Sequence, residues 1–158
     1  MKIKSVTVHI LRVPLPTISW TAHESFSDVS CLLVDISVEG GVRGTGQVNG
    51  PKLGLVASYV EMFSSFIIGL DARSTTVIWE KLFALTSPRS DFLDTEDQLS
   101  PPLPRKDLHQ ITAAIGGIDN ALWDIKGKVA DMPLFRLLGG EKTKIPVYAT
   151  GGYHKEGA

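Results

Sequence analysis

AIGGIDNALWDIKGK, residues 114–128, continues through VADM into PLFRLLGG (133–140) and then, after Glu141–Lys144, into IPVYAT (145–150). Ile111, Ala114, Ile115, Ile118, Leu122, Ile125 and Val129 recur at helical spacing, so the first of these runs predicts a long helix with one continuous apolar stripe. Asp107 suits its N-cap, with Gln110 three residues on to complete a capping box. Gly116-Gly117 falls inside the helix, where each glycine costs about 1 kcal/mol relative to alanine. Close approach of another backbone would compensate for that cost, and docking of the helix on a further domain is one arrangement that provides it. Pro133 suits the first turn of a short helix over Leu134–Leu138, which Gly139-Gly140 stops. The run Ile145–Thr150 reads as one strand, ended by Gly151-Gly152, with no partner strand nearby in the sequence.

Towards the N-terminus the period changes from helical to alternating. Val6, Val8 and Ile10 alternate with Ser5, Thr7 and His9, which predicts a half-buried strand. Val13-Pro14-Leu15-Pro16 is expected to end it, because proline cannot donate to a ladder. Leu15 to Asp28 then reads as a polar and aromatic loop. Leu32, Val34, Ile36 and Val38 mark a second strand. Gly40-Gly41 marks a tight hairpin, and Val42–Val48 a third strand. After Pro51, Leu55, Val56, Tyr59, Val60, Phe63, Phe66 and Ile67 share one helical face. Thr75, Ile78, Trp79 and Leu82 form the stripe of a second helix. Thr86 to Lys106 is proline-rich and reads as a long loop with a short helical turn that the sequence does not locate. Strands followed by helices predict an α+β domain, a three-stranded antiparallel meander followed by a helical bundle.

Composition limits what such a domain can do. The 158 residues carry 16 basic and 17 acidic side chains and a net charge of −1. Without a charge run there is no electrostatic footprint for nucleic acid or an anionic membrane, and neither is an expected partner. No apolar stretch approaches the ~20 residues a bilayer requires. The opening residues run straight into strand pattern, without the apolar core and cleavage site of a signal peptide. Cys31, the single cysteine, excludes an internal disulfide and reads as a buried filler; a cytoplasmic location is the simplest expectation. His9, His23, His109 and His154 are scattered, with no zinc-ligand spacing. Gly44-Thr45-Gly46 before a helix lacks the spacing and parallel strand of a dinucleotide loop, and fits glycines that admit close packing. Asp119 and Asp124 lie five apart, on different helix faces, and Asp124 reads as a structural acceptor.

The run Ala114–Lys128, with PLFRLLGG and IPVYA after it, resembles the end of the capping domain in mandelate racemase-like members of the enolase superfamily. The element order of the rest agrees. The resemblance implies an enolase N-terminal-domain-like cap over residues 1–140, and over 141–158 the start of a (β/α)8 (TIM) barrel domain, represented by its first strand. A complete barrel takes roughly 200–250 residues, so the rest of the barrel is expected to be absent from this sequence.

Enzymes of that kind abstract a proton α to a carboxylate and stabilise the enediolate with Mg2+. Their products arise by racemisation, cycloisomerisation or, for sugar acids, dehydration. The base and the metal-binding carboxylates sit on barrel strands that this sequence lacks. No catalytic and no metal-binding residue is therefore assigned to it, no cofactor is expected in this chain, and Mg2+ is expected only for a full-length member. Lys126-Gly127-Lys128 mimics the family's catalytic K-x-K but lies upstream of the first barrel strand, where it reads as helix-surface charge.

The cap's expected contribution is substrate specificity, through a loop after the first strand and another after the third. Here these are Leu15–Asp28, with Trp20, His23 and Phe26 as candidate substrate contacts, and Gln47–Lys52, where relatives often carry glutamate in place of Gln47. Thr150 and Tyr153, at the end of the lone strand, are further candidates. The expected function is thus the capping and specificity domain of a sugar-acid dehydratase or racemase-like enzyme, inactive alone. A small carboxylate substrate would be taken only with a full barrel. The alternative is a stand-alone, non-catalytic interaction module that pairs with a separate barrel or self-associates as a homo-oligomer.

Overall fold

The computed structural model describes residues 1–86 and 103–149, together with the backbone of residues 154–155. Three strands, β1 (Ile3–Trp20), β2 (Ser25–Val38) and β3 (Arg43–Val48), form an antiparallel meander. The helices follow as α1 (Leu53–Ile67), α2 (Thr75–Ala84), α3 (Leu108–Val129) and α4 (Leu134–Leu137), with a 3-10 turn at Arg105–Asp107 before α3. A two-residue strand, β4 (His154–Lys155), adds to the open edge of β1, giving the sheet order β3-β2-β1-β4. The α+β meander-and-helices reading is therefore correct.

Alternation in β2 orients the sheet. Leu32, Val34, Ile36 and Val38 are all at most 2% exposed and face the helices, while Cys31, Leu33, Asp35 and Ser37 face the other way. Gly40 and Gly41 both take positive φ, 92° and 85°, which the tight β2–β3 turn requires and glycine adopts without strain. The helices close the other side of the core with Val56, Val60, Phe63 and Ile67 of α1, Ile78 and Leu82 of α2, and Ile111, Ile115, Ile118, Leu122 and Ile125 of α3.

The glycines of β3 and α3 account for one another. α3 lies across β3. A Cβ on Gly46 would collide with the carbonyl oxygen of Gly117, and one on Gly44 with that of Ala121. A Cβ on Gly117 would stand 2.6 Å from Cγ2 of Val48. The close approach expected for the mid-helix glycines is thus made within this domain, by Gly117 against β3, whereas Gly116 faces open space.

Asp124 fastens the same joint. Its Oδ2 accepts the Thr45 backbone N–H at 2.9 Å and the Lys128 ammonium at 2.7 Å, and Lys128 Nζ also donates to the Arg43 carbonyl at 2.8 Å. Asp124→Ala strands an edge-strand N–H and frees Lys128, so it should cost about 1–2 kcal/mol. Urea unfolding of the variant checks this, and a loss too small to measure would contradict the role given to Asp124.

Several expectations change. β1 does not end at Pro14 or Pro16 but runs on to Trp20. β1 is an edge strand over that stretch, where a missing N–H removes no ladder bond on the open side. The segment Leu15–Asp28 is accordingly the far part of a long hairpin rather than a loop. Asp107 makes no side-chain cap, because its Oδ2 accepts the Tyr59 hydroxyl at 2.9 Å instead. Pro133 stands one residue ahead of α4 rather than within it. Trp79 leaves the buried stripe of α2, at 41% exposed, and stacks on Phe83 with ring centroids 4.7 Å apart. Val129 is also exposed. Cys31 is half-buried on the outer sheet face rather than in the core. Ile145–Ala149 makes no ladder among the described residues, and Ile145, Val147 and Tyr148 are exposed; a parallel strand needs neighbours to pair with.

Candidate functional site: the cleft of the β1–β2 hairpin

No residue between Lys4 and Cys31 belongs to the buried core; the buried set passes from Ile3 to Leu32. Val6 and Val8 still pack against its margin, and beyond them β1 and the first half of β2 project past the helical layer. Their register is continuous from Ser5↔Ser37 to Pro14↔Asp28, breaks, and resumes at Ser19↔Phe26 and Trp20↔Ser25. The turn between the strands, Thr21–Glu24, is closed by the Thr21 N–H on the Glu24 carbonyl at 2.8 Å. The Thr21 hydroxyl oxygen accepts the His23 and Glu24 backbone N–H groups at 3.3 and 3.2 Å, as a threonine at the start of a turn does.

Below this tip lies a cleft of about 1040 Å³. The hairpin lines it with Leu15, Pro16 and Phe26, and with Thr17, Ser19, Ser25, Ser27 and Ser30. Glu24 and Asp28 add carboxylates, and Gly50 and Pro51 enter from the segment after β3. The cleft thus draws on Leu15–Asp28 and, through Gly50 and Pro51, on Gln47–Lys52. Within the second, Gln47 Nε2 donates to Asn49 Oδ1 at 3.0 Å.

Of the candidate contacts, half-buried Phe26 lines the cleft. Trp20, also half-buried, sits on the rung above it, and His23 is exposed in the turn. Thr150 and Tyr153 lie outside the described residues. Glu24, Asp28 and the serines are cleft residues that sequence reasoning missed. The alternation Ser25-Phe26-Ser27 running into β2 is the signal that could have found them, masked by prolines that look like the end of pairing.

Charge at the neck of the hairpin is fixed. Arg12 donates to Asp28 Oδ2 at 2.5 Å, and the Ser27 hydroxyl donates to the same oxygen at 3.1 Å. The Arg12 hydrogen bond holds the Asp28 carboxyl below the usual carboxylate range. A depressed folded-state pKa gives stability that is present above the unfolded value and lost as pH falls through the folded one. Wild type should therefore lose stability on that acid limb, and Asp28→Asn should flatten the limb while leaving the slope near neutrality unchanged. Melting temperature against pH for both proteins reads this out, and identical acid limbs would refute it.

Lys126 and Lys128 both have structural partners. Lys126 Nζ lies 4.2 Å from the Trp123 ring centroid and 3.5 Å from Thr75 Oγ1, and Lys128 binds Asp124. Burial raises the pKa of the Asp119 carboxyl, opposed by its hydrogen bond with Trp123 and by the charge of Lys126. Among the described residues no three His, Cys, Asp or Glu side chains are grouped so as to hold a metal ion. Among the described residues no helix is long and apolar enough to cross a membrane.

The model of the mandelate racemase / muconate lactonizing enzyme N-terminal domain matches residues 5–139. The chain belongs to this family. Along 157 residues it is 33% identical to D-galactarolactone cycloisomerase of Agrobacterium fabrum, covering 99% of this chain and 37% of that protein. Along 116 residues it is 35% identical to D-mannonate dehydratase of Novosphingobium aromaticivorans, covering 72% of this chain and 25% of that one. The crystal structure of a racemase from Streptomyces coelicolor A3(2) with bound magnesium superposes with a TM-score of 0.72 at 28% identity, over 93% of this chain and 38% of that one. The chain thus spans little more than a third of the longer-matched relative's length. Its matched part is the N-terminal domain of the mandelate racemase / muconate lactonizing enzyme family, and the hairpin with its cleft lies within the matched residues.

Proposed function

We propose that these residues form the capping domain of a sugar-acid dehydratase, cycloisomerase or racemase, and that the β1–β2 hairpin selects the substrate. One observation carries the reading: the far part of the hairpin, Leu15–Ser27, adds nothing to the buried core and nevertheless builds a defined cleft. Ladder and turn bonds maintain a feature the fold does not need, which is expected of a binding element. The lining suits a polyhydroxylated acid. Serine and threonine hydroxyls both donate and accept, Glu24 and Asp28 accept from substrate hydroxyls, and Phe26 offers an apolar wall. Trp20 and His23, at the tip, would exclude water as the tip meets a barrel mouth, and Thr150 and Tyr153 are further proposed substrate contacts. Residues 1–140 are the cap in this reading, and 141–158 lead into the barrel. The proton-abstracting base and the Mg2+ ligands lie on barrel strands outside this sequence, so the chain alone has no turnover. A cytoplasmic location belongs to the same proposal.

Exposed apolar side chains around α4 and beyond it favour a second reading. Met132, Phe135, Leu138, Val147 and Tyr148 are 42–90% exposed, a surface that suits a covering partner. Such a surface would fit a separately encoded barrel or a second copy as well as a barrel in the same chain. Reading the coding DNA past Ala158 separates the two. A continuing frame that encodes a K-x-K strand and successive strand-end carboxylates supports the cap of a single-chain enzyme. A stop codon would overturn that reading and leave the interaction module.

A further inference from the structure

The hairpin is two ladders joined by an unpaired stretch. Between the rungs Pro14↔Asp28 and Ser19↔Phe26, Leu15–Ile18 of β1 stand opposite Ser27 alone on β2. Pro14 and Pro16 have no N–H with which to bridge the gap. An excess of this kind on one strand lets the two ladders change their relative angle without breaking either. The near ladder is clamped at its last rungs, where Asp28 holds both Arg12 and Ser27. The far ladder has only two rungs to β2, which by themselves would hold it weakly.

A second strand holds the far ladder from its other edge. β4 pairs antiparallel with β1 through Ser19↔Lys155 and Trp20↔His154. These are the same two β1 residues that make the far rungs with β2. The tip is thus the middle of a small three-stranded sheet whose third strand comes from the far end of the chain. Its register with β4 fixes the position of the tip over the cleft, and release of β4 leaves it attached only through the hinge.

We propose that β4 is a backbone latch on the hairpin tip, with Leu15–Ile18 as the hinge and the Arg12–Asp28 pair as its fixed side. Through the latch, the segment leading out of the domain sets how far the cleft is covered. That the cleft takes a substrate rests on the function proposed above. The latch is measured with no ligand present, so either can fail without the other.

Amide hydrogen exchange on the full 158-residue chain tests it. The double variant His154→Pro/Lys155→Pro removes the N–H donors of β4 and changes no residue of the hairpin. Exchange over residues 15–26 should accelerate about tenfold, the order expected for losing one backbone hydrogen bond from a local opening equilibrium. Exchange over Val6–Arg12 should be unchanged. Equal exchange over residues 15–26 in the variant and the wild type would overturn the latch.

If the prolines disturb the whole domain, Ser19→Cys/Lys155→Cys in a Cys31→Ser background decides the matter. Opposed residues of an antiparallel ladder lie about 4.5–5.5 Å apart at Cα, within disulfide range. Mild oxidation should close the bridge and slow exchange over residues 15–26. Failure to cross-link in the folded protein would overturn the proposal.

Discussion

Gly46→Ala should cost at least about 3 kcal/mol, a large part of the 5–15 kcal/mol that holds a typical domain together. The added Cβ meets the carbonyl oxygen of Gly117, with the Ala121 N at 3.0 Å behind it. Both are backbone atoms of α3, so no rotamer change relieves the overlap. β3 and α3 would have to separate, opening the packing between Val48, Val34 and the α3 stripe, and the dispersion attraction forfeited across such a gap is not recovered elsewhere. Gly116→Ala is the control with the opposite sign. Nothing lies within 4 Å of its added Cβ, and alanine is the better helix former, so this variant should gain about 0.5–1 kcal/mol. Urea unfolding of both variants, one residue of helix and one of strand, checks the pair. A Gly46→Ala midpoint close to wild type would mean that α3 does not lie on β3 as described.

Excising the far hairpin should separate stability from specificity. If Leu15–Ser27 is replaced by a short Gly-Asn turn, no buried core residue is lost, and unfolding free energy should change by no more than about 1 kcal/mol. In an enzyme carrying this cap on an active barrel, the same excision removes the cleft. Discrimination between sugar acids should then fall about a hundredfold in kcat/KM, the scale of losing a few well-placed hydrogen bonds to substrate. The contrast between the two readouts is decisive, since a hairpin needed only for folding would show the reverse. A strongly destabilised variant, or unchanged discrimination between epimeric acids, would count against a binding role for the hairpin.

The fold was legible where one local rule acted alone. The stripes of α1 and α3 declared themselves by helical period, and the β2–β3 turn by Gly40-Gly41; Asp124 was read as a structural acceptor and is one. Misreadings arose where a distant residue or an open edge decided the outcome. Pro14 and Pro16 would break a central strand, but beside them β1 has β2 on one side only, and sequence does not say which strand is the edge. Asp107 has the right spacing for a capping box, yet Tyr59, on another helix, takes its carboxylate. Cys31 precedes Leu32 in an apolar run but falls on the other side of the pleat.

The site was legible in outline only. Leu15–Asp28 was singled out from its composition, and its Phe26 lines the cleft, which Gly50 and Pro51 enter from the segment after β3. Ser19 and Ser25 depend on a register resumed past the bulge, and the Arg12–Asp28 pair on a ladder that reaches Pro14; alternation alone gives neither.

Magnesium-dependent turnover of a panel of sugar acids and lactones tests the central claim most directly. It is measured on the 158-residue chain by itself and on the same chain joined to the part of the Agrobacterium fabrum cycloisomerase that follows its matched region. The account predicts no turnover by the chain alone and turnover by the joined protein, with a substrate preference that shifts when the hairpin is excised. Turnover by the chain alone would contradict it, because a site complete within these residues would need no barrel.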